Sequence, residues 1–475
     1  MPRFTGLPPV DIRGPRPLPL VGAIPNILRF FGDPAGRMLA LHREFGDVVA
    51  VSDRSPALVC AFGAERNREV LTQPEVFEHD DEVPVKAPKG SSLERFNAAL
   101  PFMNGDAHRR RRRVMMPAFQ KTALDGYAAD IVAVATDALS RWPIGNDIDG
   151  GGLLRELTSA VTLRCLFGLD ALDPNEELAR AEAALLDALT SPLALALPLS
   201  IPGTPFWKAL RMSAKVEARL RQVIAERRAR PPSQRDVLSI LVHAQDEDGA
   251  TLSDDNLVGE ANGLFVAGHD TSAQTLTWTL FLLAQHPDVL GDVKDEVDAV
   301  LRGAPPTVDD VDKLVLVDRV LKEGMRVLPA GPMLFIRVCK REAPLGAHTL
   351  PEGANVVLSP LVTHRDPERY PEPIRFRPSR WQGLDPSPHE YLPFGAGKRM
   401  CLGAGFATLA LRLVLPMILQ RALPSLPEGT RVSRKVRGFS LGPKDSLPLT
   451  LRPRDLGPAP RTTVRGDIHE LVDLS

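Results

Sequence analysis

A chain of 475 residues with a net charge of −1 and a pI near 6.8 is long enough for a large core and has no overall positive excess with which to hold nucleic acid. Its four cysteines, Cys60, Cys165, Cys339 and Cys401, are scattered without C-x-x-C spacing. That argues against a disulfide scaffold and a clustered zinc site, and fits a reducing compartment. No apolar run of about 18 residues stands out, so the expectation is a soluble, cytoplasmic protein without a membrane anchor.

Residues 1–32 read as a Pro-rich lead-in, after which Asp33-Pro34 supplies an N-cap and first-turn pair for a helix. Val48–Val51 and Ala57–Phe62 are short apolar runs broken by Ser-Asp-Arg-Ser-Pro, the pattern of a hairpin. Residues 79–104 carry Pro and Gly and predict a mobile loop of the kind that lines a binding site. Arg109 to Arg113 follow His108; an arginine run is ordinarily a solvated helix face, but His108 and Arg112 are spaced i, i+4 and share one side. Residues 120–245 are mostly helical, interrupted by the apolar, proline-broken stretch Ser191–Trp207.

Ser253-Asp254-Asp255 is an N-cap cluster, and the helix it opens runs to Gln285 before stopping at His286-Pro287. At 1.5 Å per residue it spans about 50 Å, enough to cross the whole molecule. Within it, Ala267-Gly268-His269-Asp270-Thr271 is a locally costly sequence, because Gly loosens a helix and Thr bonds back to a carbonyl. A helix from about Asp312 carries Glu323-x-x-Arg326, an i, i+3 pair that is common by chance. Gly331, Pro332 and Met333 lie in a turn that enters a strand at Arg337. His364 and the segment Phe376–Trp381, with Arg380, come next.

Phe394-Gly-Ala-Gly-Lys-Arg399-Met-Cys401-Leu-Gly403 is the stretch around which the rest is organised. Its glycines permit positive φ or close backbone approach. Helical sequence starts at Leu402, so Cys401 stands just before a helix N-terminus, where dipole and free N–H groups favour a thiolate. With ordinary residue frequencies, F-x-x-G-x-R-x-C-x-G arises by accident in roughly one chain in ten thousand of this length. The decapeptide resembles the haem-binding loop of the cytochrome P-450 enzymes, in which the cysteine thiolate is the proximal iron ligand.

The resemblance covers residues 12–453 and implies one mainly α catalytic domain, 33–453, with a smaller β-rich lobe. Haem b would lie between the long central helix and the Cys401 loop. Cys401 would be the metal ligand, with Phe394, Arg399 and Gly403 around it. His108, Arg112, Arg337 and His364 would contact propionates. Ala267, Gly268, Asp270 and Thr271 match the oxygen-activating groove, Asp270 relaying protons and Thr271 assisting oxygen activation. Glu323, Arg326 and Arg380 match a buried triad that supports the haem loop. Gly263, Leu264, Gly331, Pro332, Met333 and Phe439, at a hairpin tip, would wall the substrate chamber, and Ser191–Trp207 would roof it. Residues 454–475 read as a polar, loosely held tail.

These matches imply a monomeric monooxygenase that inserts one atom of O2 into a small lipophilic substrate such as a fatty acid or terpenoid. No flavin or nicotinamide module follows the Cys401 loop within the chain, so a separate ferredoxin and ferredoxin reductase would supply NAD(P)H-derived electrons. A haem-thiolate peroxygenase or isomerase is the alternative. Such relatives usually replace the acid–Thr pair that Asp270-Thr271 keeps here. A non-catalytic haem sensor would need no proton relay at all.

Overall fold

The computed structural model describes residues 7–19, 21–80, 87–169, 177–189, 191, 193–194, 198–231 and 236–474. The helices up to the midpoint are α1 (Ile24–Gly32), α2 (Pro34–Phe45), α3 (Gly63–Leu71), α4 (Ser92–Phe96), α5 (Gly105–Met115), α6 (Lys121–Ser140), α7 (Gly150–Phe167) and α8 (Glu177–Leu189). Beyond it lie α9 (Pro205–Arg228), α10 (Val237–His243), α11 (Asp254–Gln285), α12 (Pro287–Leu301), α13 (Val308–Val311), α14 (Val315–Val327), α15 (Pro360–Thr363) and α16 (Ala404–Arg421). A five-stranded sheet of β1 (Val48–Ala50), β2 (Val59–Ala61), β3 (Phe77–His79), β5 (Arg337–Cys339) and β8 (Asn355–Leu358) runs in the order β1-β2-β8-β5-β3. Three smaller sheets use β4 (Asp147–Asp149), β6 (Ala343–Leu345), β7 (His348–Leu350), β9 (Leu423–Ser425), β10 (Arg434–Arg437), β11 (Ser440–Pro443) and β12 (Pro448–Arg452).

The 32-residue α11 is the axis of the helical part. Ser253 caps it by accepting the Asn256 N–H, and Asp254 and Asp255 sit in its first turn, where the dipole favours acids. Residues 272–285 are buried all round, and a helix apolar on every side must be wrapped by others. It is wrapped here by α7, α9, α14 and α16. α16 is long and apolar enough to span a membrane, contrary to the expectation from the sequence. Over half of it is buried against the protein, as suits a core helix.

Three boundaries differ from the sequence reading. The lead-in contains α1, whose Ile27 and Phe30 are buried while Ile24, Leu28 and Phe31 face out. The stretch 79–104, expected as a mobile loop, contains α4 and buries Leu93, Phe96, Ala99 and Leu100. Gly259 explains the docking: a Cβ there would lie 2.6 Å from the Arg95 carbonyl oxygen, so the segment sits directly on the α11 backbone. The tail over residues 454–474 is not loose. Ile468, Leu471 and Val472 are fully buried, and Arg434 pairs with Asp467 and Glu470. Parts of 191–207, the expected chamber roof, lie outside the described residues.

Candidate haem-thiolate site

The Cys401 loop is a tight turn closed by the Cys401 N–H donating to the Phe394 carbonyl at 2.9 Å. Gly395 and Gly397 both have φ of 69°, a region that side chains with a Cβ rarely adopt. At Gly397 a Cβ would also stand 2.9 Å from the Leu71 carbonyl oxygen, so α3 fixes the loop from behind. Gly403 is the N-cap residue of α16, which begins at Ala404, two residues later than the helix start the sequence suggested. Cys401 is solvent-accessible although protein atoms crowd around it. Burial pushes its thiol pKa up, and the Gly403 N–H and the Arg112 charge pull it back down. Burial opposes the thiolate, whereas the helix dipole, the Gly403 N–H and Arg112 favour it, and the thiolate is the form that binds a metal.

Beside the loop, sheet and helix bring cations together. β3 and β5 pair antiparallel with His79 opposite Arg337. α5 contributes buried His108 and half-buried Arg112, and the loop contributes Arg399. Asn104 ties the group together: its side chain donates to the His79 carbonyl, and its Oδ1 accepts from His79 N–H and from Arg399. The charges oppose one another. Burial pushes His108 down to about 4, reinforced by Arg399, Arg112 and Arg337. Burial lowers Arg337 to about 9 with help from Arg399, and lowers Arg399 itself to about 10. Arg337 Nε and Arg399 Nη1 are buried with no hydrogen-bond acceptor, and neither residue has an ion-pair partner among the described residues. Buried cations without counter-charge are costly unless an anion comes to them. A planar group carrying two carboxylates and a metal that accepts one thiolate meets that requirement, so the residues fit haem. Cys401 would ligate its iron while Arg337, Arg399, His108 and Arg112 would hold its propionates.

His364 is not part of this group. It is fully buried, its Nε2 accepts the Leu392 N–H at 3.0 Å, and its carbonyl accepts from Arg326. With Nε2 committed to backbone and its carbonyl to Arg326, it belongs to the Arg326 network, while Nδ1 is buried with no partner among the described residues. That network matches the expected triad closely. Glu323, fully buried, accepts from Arg326 Nη2, Arg380 Nε and the Arg377 N–H on one oxygen, at 2.8 to 2.9 Å. The other oxygen accepts from Arg326 Nε at 2.9 Å and Trp381 Nε1 at 3.0 Å. Trp381 was not singled out from sequence, nor were His79 and Asn104, because no local pattern marks a residue whose partners are far along the chain.

On α11, Ala267 and Thr271 are exposed although residues 272–285 beyond them are buried, so the chain leaves this face uncovered. The Thr271 hydroxyl donates back to the Ala267 carbonyl at 2.8 Å, and Asp270 accepts from Gln274 at 3.2 Å. Phe439, at the tip of the β10–β11 hairpin, packs on Phe335 with ring centroids 4.4 Å apart. Phe335 in turn stacks on His79 at 5.5 Å. Gly263 meets Ala99, so this part of α11 faces the docked 92–102 segment, while the partly buried Leu264 packs against the main core. Gly331 is half-buried. Met333 and Pro332 do not serve as chamber wall. Met333 is buried in a cluster with Phe30 and Met38, and the Pro332 carbonyl accepts from the Ser359 hydroxyl and the Leu361 N–H. Of the five arginines, Arg109, Arg111 and Arg113 form ion pairs with Asp106, Glu260 and Glu247. They are therefore less available as a free basic patch than the sequence suggested.

Comparison with known proteins agrees with this geometry. The family model described as Cytochrome P450 matches residues 12–447. The chain is 30% identical over 436 residues to cyclooctat-9-en-7-ol 5-monooxygenase of Streptomyces melanosporofaciens, covering 88% of this chain and 91% of that one. It is 34% identical over 368 residues to cyclooctatin synthase of the same organism, covering 74% and 77% of the two chains. Among solved structures, the retinoic acid-bound cyanobacterial CYP120A1 superposes with a TM-score of 0.81 at 27% identity, covering 94% of this chain and all of that one. With a family match over most of its length, a mainly helical fold shared with solved members and a cysteine loop set beside unpaired buried cations, the chain belongs to the cytochrome P450 family of haem-thiolate monooxygenases.

Proposed function

We propose that this monooxygenase acts on a small lipophilic molecule, hydroxylating or epoxidising it, and takes its electrons from a separate ferredoxin and its reductase. The observation that carries the reading is the Ala267–Thr271 face, exposed on the central helix just before its buried half, together with the apolar Phe335–Phe439 contact at the β10–β11 hairpin. Haem supplies dioxygen activation and electron transfer. The chain does the rest. Thr271 and Asp270 provide a hydroxyl and a carboxylate on one turn for moving protons. The aromatic wall excludes water and orients an apolar substrate by shape. The relatives support this substrate class: one is named for oxidising an unsaturated alcohol and one solved neighbour holds retinoic acid.

The test begins with the reduced protein under carbon monoxide, where the strongly red-shifted band of a thiolate–carbonyl complex is expected. Titration with retinoic acid, long-chain fatty acids and terpenoid alcohols should then give the spectral change of displaced water. Thr271→Ala should keep the thiolate band and lose coupling of electron consumption to product. Unchanged coupled turnover in that variant would remove Thr271 from the mechanism.

A further inference from the structure

The rear of the groove carries an interaction that the front does not explain. Thr158, on α7 and 6% exposed, has its hydroxyl 2.9 Å from the Leu154 carbonyl of its own helix. It is also 2.9 Å from the carbonyl of His269 on α11. One hydroxyl has one proton, so only one of these bonds is made at a time. His269 lies between Gly268 and Asp270, and in helical register its carbonyl accepts the Ala273 N–H. One turn along α7, Thr162 presses its methyl within 3.3 Å of where a Gly268 Cβ would be, so the backbones are close at this step. His269 turns its ring away from the groove, stacked on Phe265 at 4.8 Å with Nδ1 2.8 Å from the Phe265 carbonyl. Thr158, Thr162, Gly268 and Ser272 also border a narrow crevice between α7, α11 and α16, with a volume of only about 10 Å³. α7 therefore grips the back of α11 at the residues whose front forms the oxygen groove.

We propose that Thr158 is a positioning residue for Asp270 and Thr271, acting through the His269 carbonyl. When the hydroxyl donates to His269, that carbonyl is drawn toward α7 and its bond to Ala273 is weakened, which opens the Asp270–Thr271 turn. When it donates to Leu154, α11 closes to a regular helix. The idea rests on the monooxygenase reading, because it assigns Thr158 a part in proton delivery. If delivery fails, O2 takes two electrons and two protons and leaves as H2O2, instead of giving one atom to substrate and one to water.

The test compares wild type, Thr158→Val and Thr158→Ser as haem-loaded proteins. Valine keeps the shape and removes the hydroxyl; serine keeps the hydroxyl. The expected result is H2O2 release per electron pair raised at least about threefold in the valine variant and restored in the serine variant. The thiolate–carbonyl band should be unchanged in all three. Independently of turnover, amide exchange at Ala273 in the ferric protein should slow by about fivefold in Thr158→Val, the worth of one net hydrogen bond. Equal uncoupling in both variants, or wild-type coupling with unchanged Ala273 exchange in the valine variant, overturns the proposal. Absence of the thiolate band in wild type would instead overturn the reading on which it rests.

Discussion

Replacing Glu323 by Gln is the sharpest test of how the fold supports the cysteine loop. Five N–H groups converge on this carboxylate, from Arg326 (two), Arg380, Trp381 and the Arg377 backbone. Arg326 is fully buried, and the Arg380 side chain is 6% exposed. Glutamine keeps the shape but turns one acceptor into a donor facing donors, and it leaves the guanidinium groups without counter-charge. Breaking a buried pair from one side costs about 3–5 kcal/mol, a large share of the roughly 5–15 kcal/mol that holds a folded domain together. The damage has a route to the ligand. Trp381 meets the Tyr391 ring at 4.7 Å, the Tyr391 hydroxyl donates to the Lys322 carbonyl, and Leu392 follows, two residues before Phe394. Urea unfolding and the reduced carbon monoxide spectrum should therefore change together, with a lower midpoint and part of the thiolate band moved to the imidazole-type position. Trp381→Phe, which removes one donor, should cost no more than about 1–2 kcal/mol. A Glu323→Gln protein within about 1 kcal/mol of wild type and with a full thiolate band would refute the argument that the charge, rather than the packing, holds this junction.

Arg337→Ala and Arg399→Ala should each release haem at least about tenfold faster, measured by transfer to apomyoglobin; Arg337→Ala should leave the haem-free chain no less stable, since it removes a buried cation with no ion-pair partner among the described residues, whereas Arg399→Ala also loses the Asn104 bond. His364, fully buried, has its pKa depressed by desolvation to about 3. The unfolded chain thus binds the proton first as pH falls, and this residue's contribution is lost between about pH 6.5 and 3, at roughly 1.4 kcal/mol per unit. Urea midpoints of His364→Gln should fall less steeply than wild type across that window, and parallel slopes would refute the assignment. Gly397→Ala should destabilise by about 1–3 kcal/mol, read as a lower Tm, because it forces a side chain into positive φ against the Leu71 carbonyl.

Local signals in the sequence were enough for the long helix, the first hairpin and the cysteine turn, because capping residues, alternating apolar runs and glycine spacing act over a few residues. α11 begins and ends where Ser253 and His286-Pro287 placed it. The errors are all non-local. Met333 was assigned to the chamber from its place in a turn, but the α1–α2 layer that buries it is about 300 residues away. The polarity of the tail suggests a loose segment, although its apolar Ile468, Leu471, Val472 and Leu474 are buried and the segment docks on the chain near Val432. His364 was placed with the propionate contacts by resemblance. Only the fold reveals that its Nε2 is already taken by Leu392.

Most of the buried cations of this protein have a partner among the described residues, and the exceptions bear on the cofactor site. Arg326 and Arg380 have Glu323, Arg111 has Glu260, Arg227 has Asp236, and Arg434 has Asp33, Asp467 and Glu470. Arg365, which lacks a carboxylate, is collared by the carbonyls of Leu361, Val327 and Leu471. Among the described residues, buried Arg337 and half-buried Arg399 have no ion-pair carboxylate; Arg399 has the Asn104 oxygen, and burial together with these charges depresses His79 and His108. A folded chain retains an uncompensated buried cation only where something outside the chain compensates it. That two such cations stand beside the one accessible cysteine, on three elements far apart in sequence, ties the anionic edge and the ligated metal of a single prosthetic group to one place.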